Sequence, residues 1–135
     1  MCGIVGIVRS NSSVNKEELI TMNNTQIHRG PDGEGYYIDQ NIGFAHRRLA
    51  IIDIESGKQP MYSTCKNYTV TYNGELYNYQ TLKTQLQQKG HVFSTNSDTE
   101  VILYAYKEWG NECLNKFRGM FAFAIHNKIK NIVFL

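Results

Sequence analysis

The feature that most constrains the fold is a set of five short apolar runs, rich in β-branched and aromatic residues. They cover residues 3–8, 42–52, 68–72, 120–125 and 132–135. Runs of this length and composition indicate β-strands with at least one buried face. The 135 residues are 41% hydrophobic and 19% charged, which suits one compact core. The sequence therefore predicts a single, sheet-rich domain.

Three segments between these runs carry the signals of α-helices. They span residues 15–25, 78–89 and 97–110, with candidate N-caps at Ser13 or Asn15, at Asn78, and at Ser97 or Asp98. Each candidate cap has a side chain that can accept a hydrogen bond from the first helical turn. The last two segments stop at Gly90 and Gly110, which suit a helix C-terminus. Helices and strands are thus interleaved.

Charge and cysteine usage exclude several classes of protein. The 14 basic and 12 acidic residues are spread along the chain, so no basic stripe for nucleic acid emerges. Three cysteines without a CxxC pair, and four histidines without ligand spacing, suggest neither disulfides nor a metal site. The apolar residues 1–8 are too short for a signal peptide or a membrane span. We expect a cytoplasmic protein that binds no nucleic acid, membrane or metal.

Cys2 follows the initiator methionine and is the first candidate catalytic residue. Removal of Met1 would leave a thiol and a free α-amine on one residue. An α-amine has an ordinary pKa of roughly 8, so near neutral pH it can accept the thiol proton. N-terminal threonine hydrolases use the same arrangement. Position alone favours the alternative, in which Cys2 is an ordinary residue at the start of a strand.

Asn73, Gly74 and Glu75 follow the predicted strand 68–72 and form a candidate oxyanion site. The Asn73 amide and a backbone N–H exposed at a turn could stabilise an oxyanion. Glycine would let the backbone come close to a ligand. Asn-Gly is also among the commonest turn dipeptides, so a plain turn is the simpler alternative.

Arg48 and Asp98 are candidates for binding the charged ends of a free amino acid. Arg48 interrupts the apolar run 42–52, where a guanidinium could grip an α-carboxylate with two hydrogen bonds. Asp98 could bind an α-ammonium group. The alternatives are a solvent-facing strand residue for Arg48 and a helix cap for Asp98. The nearby segment 29–33 is either a tight turn or a flap over such a site.

A series of spaced motifs resembles the class II, or N-terminal nucleophile, glutamine amidotransferases. The match is densest with the glutaminase domain of glutamine-dependent asparagine synthetases, and it spans nearly the whole chain. The motifs are MCGIVG at 1–6, HRGPD at 28–32, AHRRLAIID at 45–53, QPM at 59–61, YNGELYN at 72–78, SDTEVI at 97–102 and GMFAFA at 119–124. Several spaced motifs are far more specific than any one of them.

The resemblance implies a catalytic role for three residues. Cys2 would be the nucleophile and its own α-amine the base, while Asn73 and the Gly74 N–H would form the oxyanion hole. The thiolate would attack the side-chain amide of glutamine and release ammonia. Water would then hydrolyse the thioester to glutamate.

The resemblance also implies how glutamine is bound. Arg48 would bind its α-carboxylate, and Asp98, helped by the Glu75 backbone, would hold its α-ammonium group. Backbone groups near Ile51 and Ile52 would complete the pocket. These roles coincide with those suggested by the residue types alone for Arg48 and Asp98.

The fold implied is α+β: a four-layer αββα sandwich of two mainly antiparallel sheets flanked by helices. We expect residues 1–135 to be a glutaminase domain that lacks its C-terminal strands and binds no cofactor. An ATP-dependent synthetase domain of the same longer chain would bind ATP and Mg and use the ammonia. A homo-oligomer is compatible with this arrangement.

Two alternatives to asparagine synthesis from aspartate stay open. The ammonia acceptor could be an amino sugar or a cell-surface polysaccharide precursor, because acceptor specificity lies outside this chain. The chain could also be catalytically silent and only bind glutamine or a partner. A chain that retains Met1 is expected to be inactive, because its α-amine is blocked.

Overall fold

The computed structural model describes residues 2–50 and 57–135. Its elements are β1 (Gly3–Val8), α1 (Lys16–Asn24), β2 (Gly33–Asp39), β3 (Ile42–Arg48), β4 (Met61–Tyr62), β5 (Tyr68–Leu76), α2 (Tyr79–Gln88), α3 (Asp98–Trp109), β6 (Gly119–Asn127) and β7 (Ile132–Phe134). Two short 3-10 helices cover Ile27–Arg29 and Gly110–Lys116. None of the helices in these ranges is long and apolar enough to cross a membrane.

The strands form two antiparallel sheets. The first sheet has the strand order β1-β3-β2, and the second has the order β4-β5-β6-β7. Strands β1 and β3 contact β5, so the sheets lie face to face. Helix α1 packs on the first sheet, where Leu19 joins Val5 and Ala45 in a small core. Helices α2 and α3 pack on the second sheet, which completes an αββα order of layers.

The main core lies between the second sheet and helices α2 and α3. Leu82 and Leu86 of α2 belong to it, as do residues 101–106 of α3, and the polar residues 98–100 at the start of α3 are buried as well. The Ser97 hydroxyl accepts a hydrogen bond from the Thr99 N–H at 3.2 Å and caps α3. This packing fixes the start of α3 against the sheet.

The predicted helices and strands are present, but some strands differ in extent from the prediction and two strands were not predicted. Strand β3 ends at Arg48 instead of continuing to residue 52, and residues 51–56 lie outside the described part of the chain. Strand β5 is longer than predicted, since it runs to Leu76. Strands β2 and β4 were not predicted, because their sequences alternate too weakly to be recognised without the pairing that stabilises them.

Asn78 precedes α2 but does not cap it, contrary to prediction. Its side-chain amide donates to the Lys116 carbonyl at 2.9 Å and accepts from the Arg118 N–H at 3.0 Å. No side-chain hydrogen bond closes the first turn of α2. Asn78 therefore ties the start of α2 to the segment that precedes β6.

His46 gives the fold a predictable dependence on pH. It lies on β3 between the sheets with no exposed surface, and its Nδ1 lies 3.3 Å from the Thr71 hydroxyl. Burial, reinforced by the positive charge of Arg48, lowers the pKa of His46 from 6.5 to about 4. The unfolded chain therefore binds a proton at pH values where the folded chain does not. Stability should fall as pH decreases from 6.5 towards 4, by up to about 3 kcal/mol from this residue.

Urea unfolding at several pH values tests this expectation with two variants. His46→Gln removes the titrating group, so its free energy of unfolding should fall less steeply over this range than that of the wild type. His28→Gln is the control, because His28 is exposed. Equal slopes in the wild type and His46→Gln would contradict a buried, neutral His46.

Candidate active site

Every predicted site residue that the structure describes lines one cavity of about 300 Å³. These residues are Cys2, Arg48, Asn73, Gly74, Glu75 and Asp98. Pockets for small molecules have volumes of roughly 300–1,000 Å³, so the cavity suits a compact ligand. Ile51 and Ile52 lie outside the described residues, and their contribution stays a prediction.

Cys2 lies immediately before β1 and is held against the end of β3. Its Sγ lies 3.3 Å from the Leu49 backbone nitrogen, which donates to it, and 3.6 Å from the Leu49 carbonyl. Its own carbonyl accepts from Arg29 Nε at 3.1 Å. Because Gly3 pairs with Arg47 in the sheet, Cys2 lies beside Arg48. The half-buried thiol is therefore fixed from both sides at the wall of the cavity.

The predicted turn after Tyr72 does not exist. Strand β5 continues to Leu76, and within it Asn73 pairs with Ala122 and Gly74 pairs with Phe121 of β6. The turn propensity of Asn-Gly is overridden by this ladder, since local preferences yield to tertiary pairing. The candidate oxyanion residues lie on a strand, not at a turn.

Gly74 is required by the closeness of its neighbouring strand. A Cβ atom at this position would lie 2.2 Å from the Met120 carbonyl oxygen and 2.6 Å from Phe121 Cα. No side chain can be placed there without moving backbone. Glycine is therefore required at position 74 because strand β6 lies so close. The predicted reason for glycine was a close approach of the backbone to a ligand.

The edge of β5 beyond β4 has three N–H groups that point the same way. The Tyr72 N–H donates to Gln59 Oε1 at 2.6 Å, and the Leu76 N–H donates to Asp98 Oδ2 at 3.0 Å. Alternate residues of a strand direct their N–H groups to the same edge. The Gly74 N–H, midway between them, therefore faces this edge too. Gly74 lines the cavity at this point.

Asp98 is the first residue of α3 and is only 5% exposed. Its Oδ2 accepts hydrogen bonds from the Tyr72 hydroxyl at 2.7 Å and from the Leu76 N–H. The alternative role of helix cap belongs to Ser97 instead. Burial and the neighbouring Asp98 raise the pKa of Tyr72 above its usual value, so the phenol stays protonated and donates to the carboxylate.

The cavity is lined by charges of both signs, which come from different elements. Arg48 brings a cation from the end of β3, whereas Asp98 and Glu75 bring carboxyl groups from α3 and β5. Burial is the larger cause that raises the pKa of Glu75, and repulsion from the Asp98 carboxylate raises it further. A ligand with one anionic and one cationic end would match these charges.

The segment 29–33 supports the site from outside the cavity. Asp32 Oδ2 accepts from the Ala50 N–H at 2.9 Å, and the Asp32 N–H donates to the Arg48 carbonyl at 3.0 Å. Its residues do not line the cavity. The segment behaves as the predicted turn and holds the chain on both sides of Leu49.

Sequence reasoning missed several residues that line the cavity, among them Gln59, Tyr72 and Thr99. Gln59 and Tyr72 lie in motifs of the resemblance, but no role was attached to them. Gln59 contacts the Tyr72 N–H and the Thr99 hydroxyl, and the Tyr72 hydroxyl contacts Asp98; residue type alone does not reveal these contacts. Within the described residues, no three His, Cys, Asp or Glu side chains are grouped to hold a metal; that the domain needs none stays a prediction.

The chain belongs to the glutamine amidotransferase domain family, whose model matches residues 1–135. It is 45% identical over 138 residues to the glutamine-hydrolysing asparagine synthetase 1 of Bacillus subtilis (strain 168), covering 99% of this chain and 22% of that relative. Asparagine synthetase B of Escherichia coli (strain K12) is 38% identical over 133 residues, covering 97% of this chain and 24% of that relative. The chain thus spans about a fifth of the length of these curated relatives. The resemblance found from the motifs is confirmed.

A solved structure confirms the predicted fold. The glutamine phosphoribosylpyrophosphate amidotransferase of Bacillus subtilis, complexed with ADP and GMP, superposes with a TM-score of 0.74 at 22% identity. The match covers 95% of this chain and 35% of that one. The α+β, N-terminal nucleophile hydrolase sandwich of two antiparallel sheets is therefore the architecture of this chain.

Proposed function

We propose that this chain hydrolyses the side-chain amide of glutamine through a thioester on Cys2. The observation that carries the proposal is the meeting of Cys2, Gly74, Arg48 and Asp98 at one cavity. These residues come from four separate parts of the chain. Together they offer a nucleophile, an N–H donor and two opposite charges, which are the groups that amide hydrolysis of an amino acid requires.

Glutamine would be held by its charged ends. Arg48 would bind the α-carboxylate, and Asp98 would accept from the α-ammonium group through Oδ1, because the described partners of this carboxylate use Oδ2. Glu75, which lines the cavity, would help Asp98 to hold the ammonium group, and Ile51 and Ile52 would supply backbone groups. The presence of both charges at the cavity supports this mode of binding, since each end of the zwitterion would meet its opposite.

The side chain of glutamine would then reach Cys2 and the β5 edge. Once Met1 is removed, the α-amine of Cys2 would take the thiol proton, and the thiolate would attack the amide carbon. The carbonyl electrons would move to oxygen, where the Gly74 N–H and the Asn73 amide would stabilise the negative charge. Collapse of this intermediate would expel ammonia, protonated by the Cys2 ammonium group, and leave a thioester. Water would release glutamate.

The ammonia would serve a synthetase domain in the remainder of a longer chain. The names of the curated relatives, which are glutamine-hydrolysing asparagine synthetases, support asparagine as the product. We propose that aspartate is the acceptor and that the synthetase domain uses ATP and Mg. We further propose that residues 1–135 are part of a cytoplasmic glutaminase domain that itself binds no cofactor. The alternative is that the ammonia acceptor is an amino sugar or a polysaccharide precursor. Activity measurements with each acceptor would distinguish it from aspartate.

Glutamate release by the full-length protein tests the proposal. Intact-mass measurement first establishes that Met1 is absent, and hydroxylamine is then added during turnover. We expect glutamate and ammonia from glutamine, and a γ-glutamyl hydroxamate from the trapped thioester. Asparagine is the matched control, because its side chain is one methylene shorter and should not bring the amide to Cys2 while both charged ends are held.

Two outcomes would contradict the proposal. A Met-free protein that binds glutamine and releases no glutamate would leave a silent binding domain. Glutamate release without any hydroxamate would argue against the thioester and in favour of direct attack by water.

A further inference from the structure

Gln59 lies at the cavity but belongs to none of the groups that the proposed reaction uses. It follows the segment 51–56 that the structure does not describe and precedes β4. Its backbone packs closely against the first sheet, because a Cβ at Gly35 of β2 would lie 2.0 Å from the Gln59 carbonyl oxygen. The Gln59 side chain can therefore influence where strand β5 and helix α3, which it contacts, lie relative to the first sheet.

The side-chain amide of Gln59 joins strand β5 to helix α3. Its Oε1 accepts from the Tyr72 N–H at 2.6 Å, and its Nε2 donates to Thr99 Oγ1 at 3.3 Å. The orientation of the amide is determined, because a backbone N–H can only donate and therefore must meet the oxygen. Thr99 is 2% exposed and sits in the first turn of α3. The amide is thus a bridge with one partner on each element.

This bridge closes a ring of four residues. Gln59 bonds the Tyr72 backbone, the Tyr72 hydroxyl bonds Asp98, Asp98 is followed by Thr99 in the chain, and Thr99 bonds Gln59. Two sides of the ring are independent links between β5 and the start of α3. Without the Gln59 bridge, the polar links between β5 and the start of α3 among the described residues are the two hydrogen bonds that Asp98 accepts, from the Tyr72 hydroxyl and from the Leu76 N–H.

The ring connects the two elements, β5 and α3, whose separation sets the distance between Gly74 and Asp98. Gly74, the proposed oxyanion donor, lies two residues after Tyr72 on the same edge of β5. Asp98, the proposed ammonium partner, lies on the α3 side of the ring. Glutamine bound at Asp98 presents its amide to Gly74 only if the two elements keep their separation, and errors of about 1 Å in such alignment cost up to about a hundredfold in rate.

We propose that Gln59 is a positioning residue, which fixes the β5 edge relative to α3 and so aligns the Gly74 N–H with glutamine bound at Asp98. The role rests on the proposed function. Gln59 does not contact the reacting atoms; it acts through Tyr72 and Thr99. Asp98 keeps its own two hydrogen bonds when the bridge is lost, so glutamine binding should persist while alignment for reaction does not.

The test uses the full-length protein and a double-mutant cycle. Gln59→Met keeps the length of the side chain and removes both hydrogen bonds, while Thr99→Val removes only the acceptor on α3. We expect each variant to lower kcat for glutamate release between about tenfold and a hundredfold with a smaller change in KM. The double variant should lose no more than Gln59→Met alone, because both substitutions break one bridge.

Two measurements separate positioning from a loss of structure. The rate at which iodoacetamide alkylates Cys2, followed by peptide mass, should match the wild type in each variant, because the thiol is held by Leu49 and not by the ring. Gln88→Met is the matched control, since Gln88 is exposed on α2, and its kinetics should equal those of the wild type. If Gln59→Met fails to fold, Thr99→Val alone still reports on the bridge.

The outcomes distinguish this proposal from the one on which it rests. No glutamate from the wild-type protein would remove both the proposed function and the positioning role. An active wild type with unaltered kcat in Gln59→Met would overturn the positioning role alone. A large loss in Gln59→Met with none in Thr99→Val would also overturn it, because Gln59 would then act on glutamine directly.

Discussion

Replacing Cys2 with alanine should reduce glutamate release by more than about 10⁴-fold, because removal of a nucleophile takes away the covalent route entirely. Binding of glutamine should remain, since Arg48 and Asp98 are untouched and the cavity loses only one sulfur atom. Steady-state release of glutamate, with binding measured by calorimetry, provides the two readings. No hydroxamate should form in the variant when hydroxylamine is present.

Cys65→Ala is the control for this experiment. Cys65 is exposed, and hydrogen bonding by Ser63 and by backbone N–H groups lowers the pKa of its thiol. It is therefore the other thiol with the character of a nucleophile, yet it does not line the cavity. Its variant should hydrolyse glutamine at the wild-type rate. Equal activity in Cys2→Ala would overturn the nucleophile assignment and leave the family and the fold intact.

Replacing Gly74 with alanine should destabilise the second sheet by about 3 kcal/mol or more, since the added methyl group meets backbone that cannot move without separating β5 from β6. The nearest atoms would lie at 2.2 Å and 2.6 Å, well inside van der Waals contact. Urea unfolding gives the free energy of unfolding. Any folded fraction should have lost glutaminase activity, because the N–H at position 74 moves with the strand.

Gly6→Ala provides the comparison for Gly74→Ala. Gly6 also lies in a strand, β1, but a Cβ there would lie 3.8 Å from the Phe44 ring, an ordinary contact. Its free energy of unfolding should change by less than about 1 kcal/mol. If both variants unfold at the same urea concentration, strands β5 and β6 cannot lie as close as the structure places them.

Elements whose signals are local were predicted from the sequence. Helix α3 begins directly after its N-cap Ser97 and ends directly before Gly110, where the φ angle is +57°. Each of these two residues acts only on the adjacent turn of the helix, so its signal can be recognised in the local sequence. Strand β1 is a continuous apolar run. By contrast, β2 has half-buried residues along most of its length and became a strand through pairing with β3, which its own sequence does not encode.

The sequence predicted which residues form the candidate site, but not the strand pairing and hydrogen bonds that hold them there. Arg48, Asp98 and Cys2 came from residue types with a reason for each, and the spaced motifs joined them. The turn at Asn73 was wrong, because the pairing partner of that residue lies 49 positions later, at Ala122. Gln59 was missed for a related reason: it bonds a backbone N–H, and backbone groups are the same at every residue.

The alternation of N–H groups along β5 also limits the insertions and deletions that this strand can accept during evolution. Three N–H groups face the open edge of β5 because they belong to residues 72, 74 and 76, and the intervening ones face β6. Inserting or deleting one residue within this strand would exchange the two sets, since the alternation has a period of two. Hydrolysis and sheet pairing would fail together. The number of residues from Tyr72 to Leu76 is therefore fixed by this alternation, in addition to the requirement for glycine at position 74.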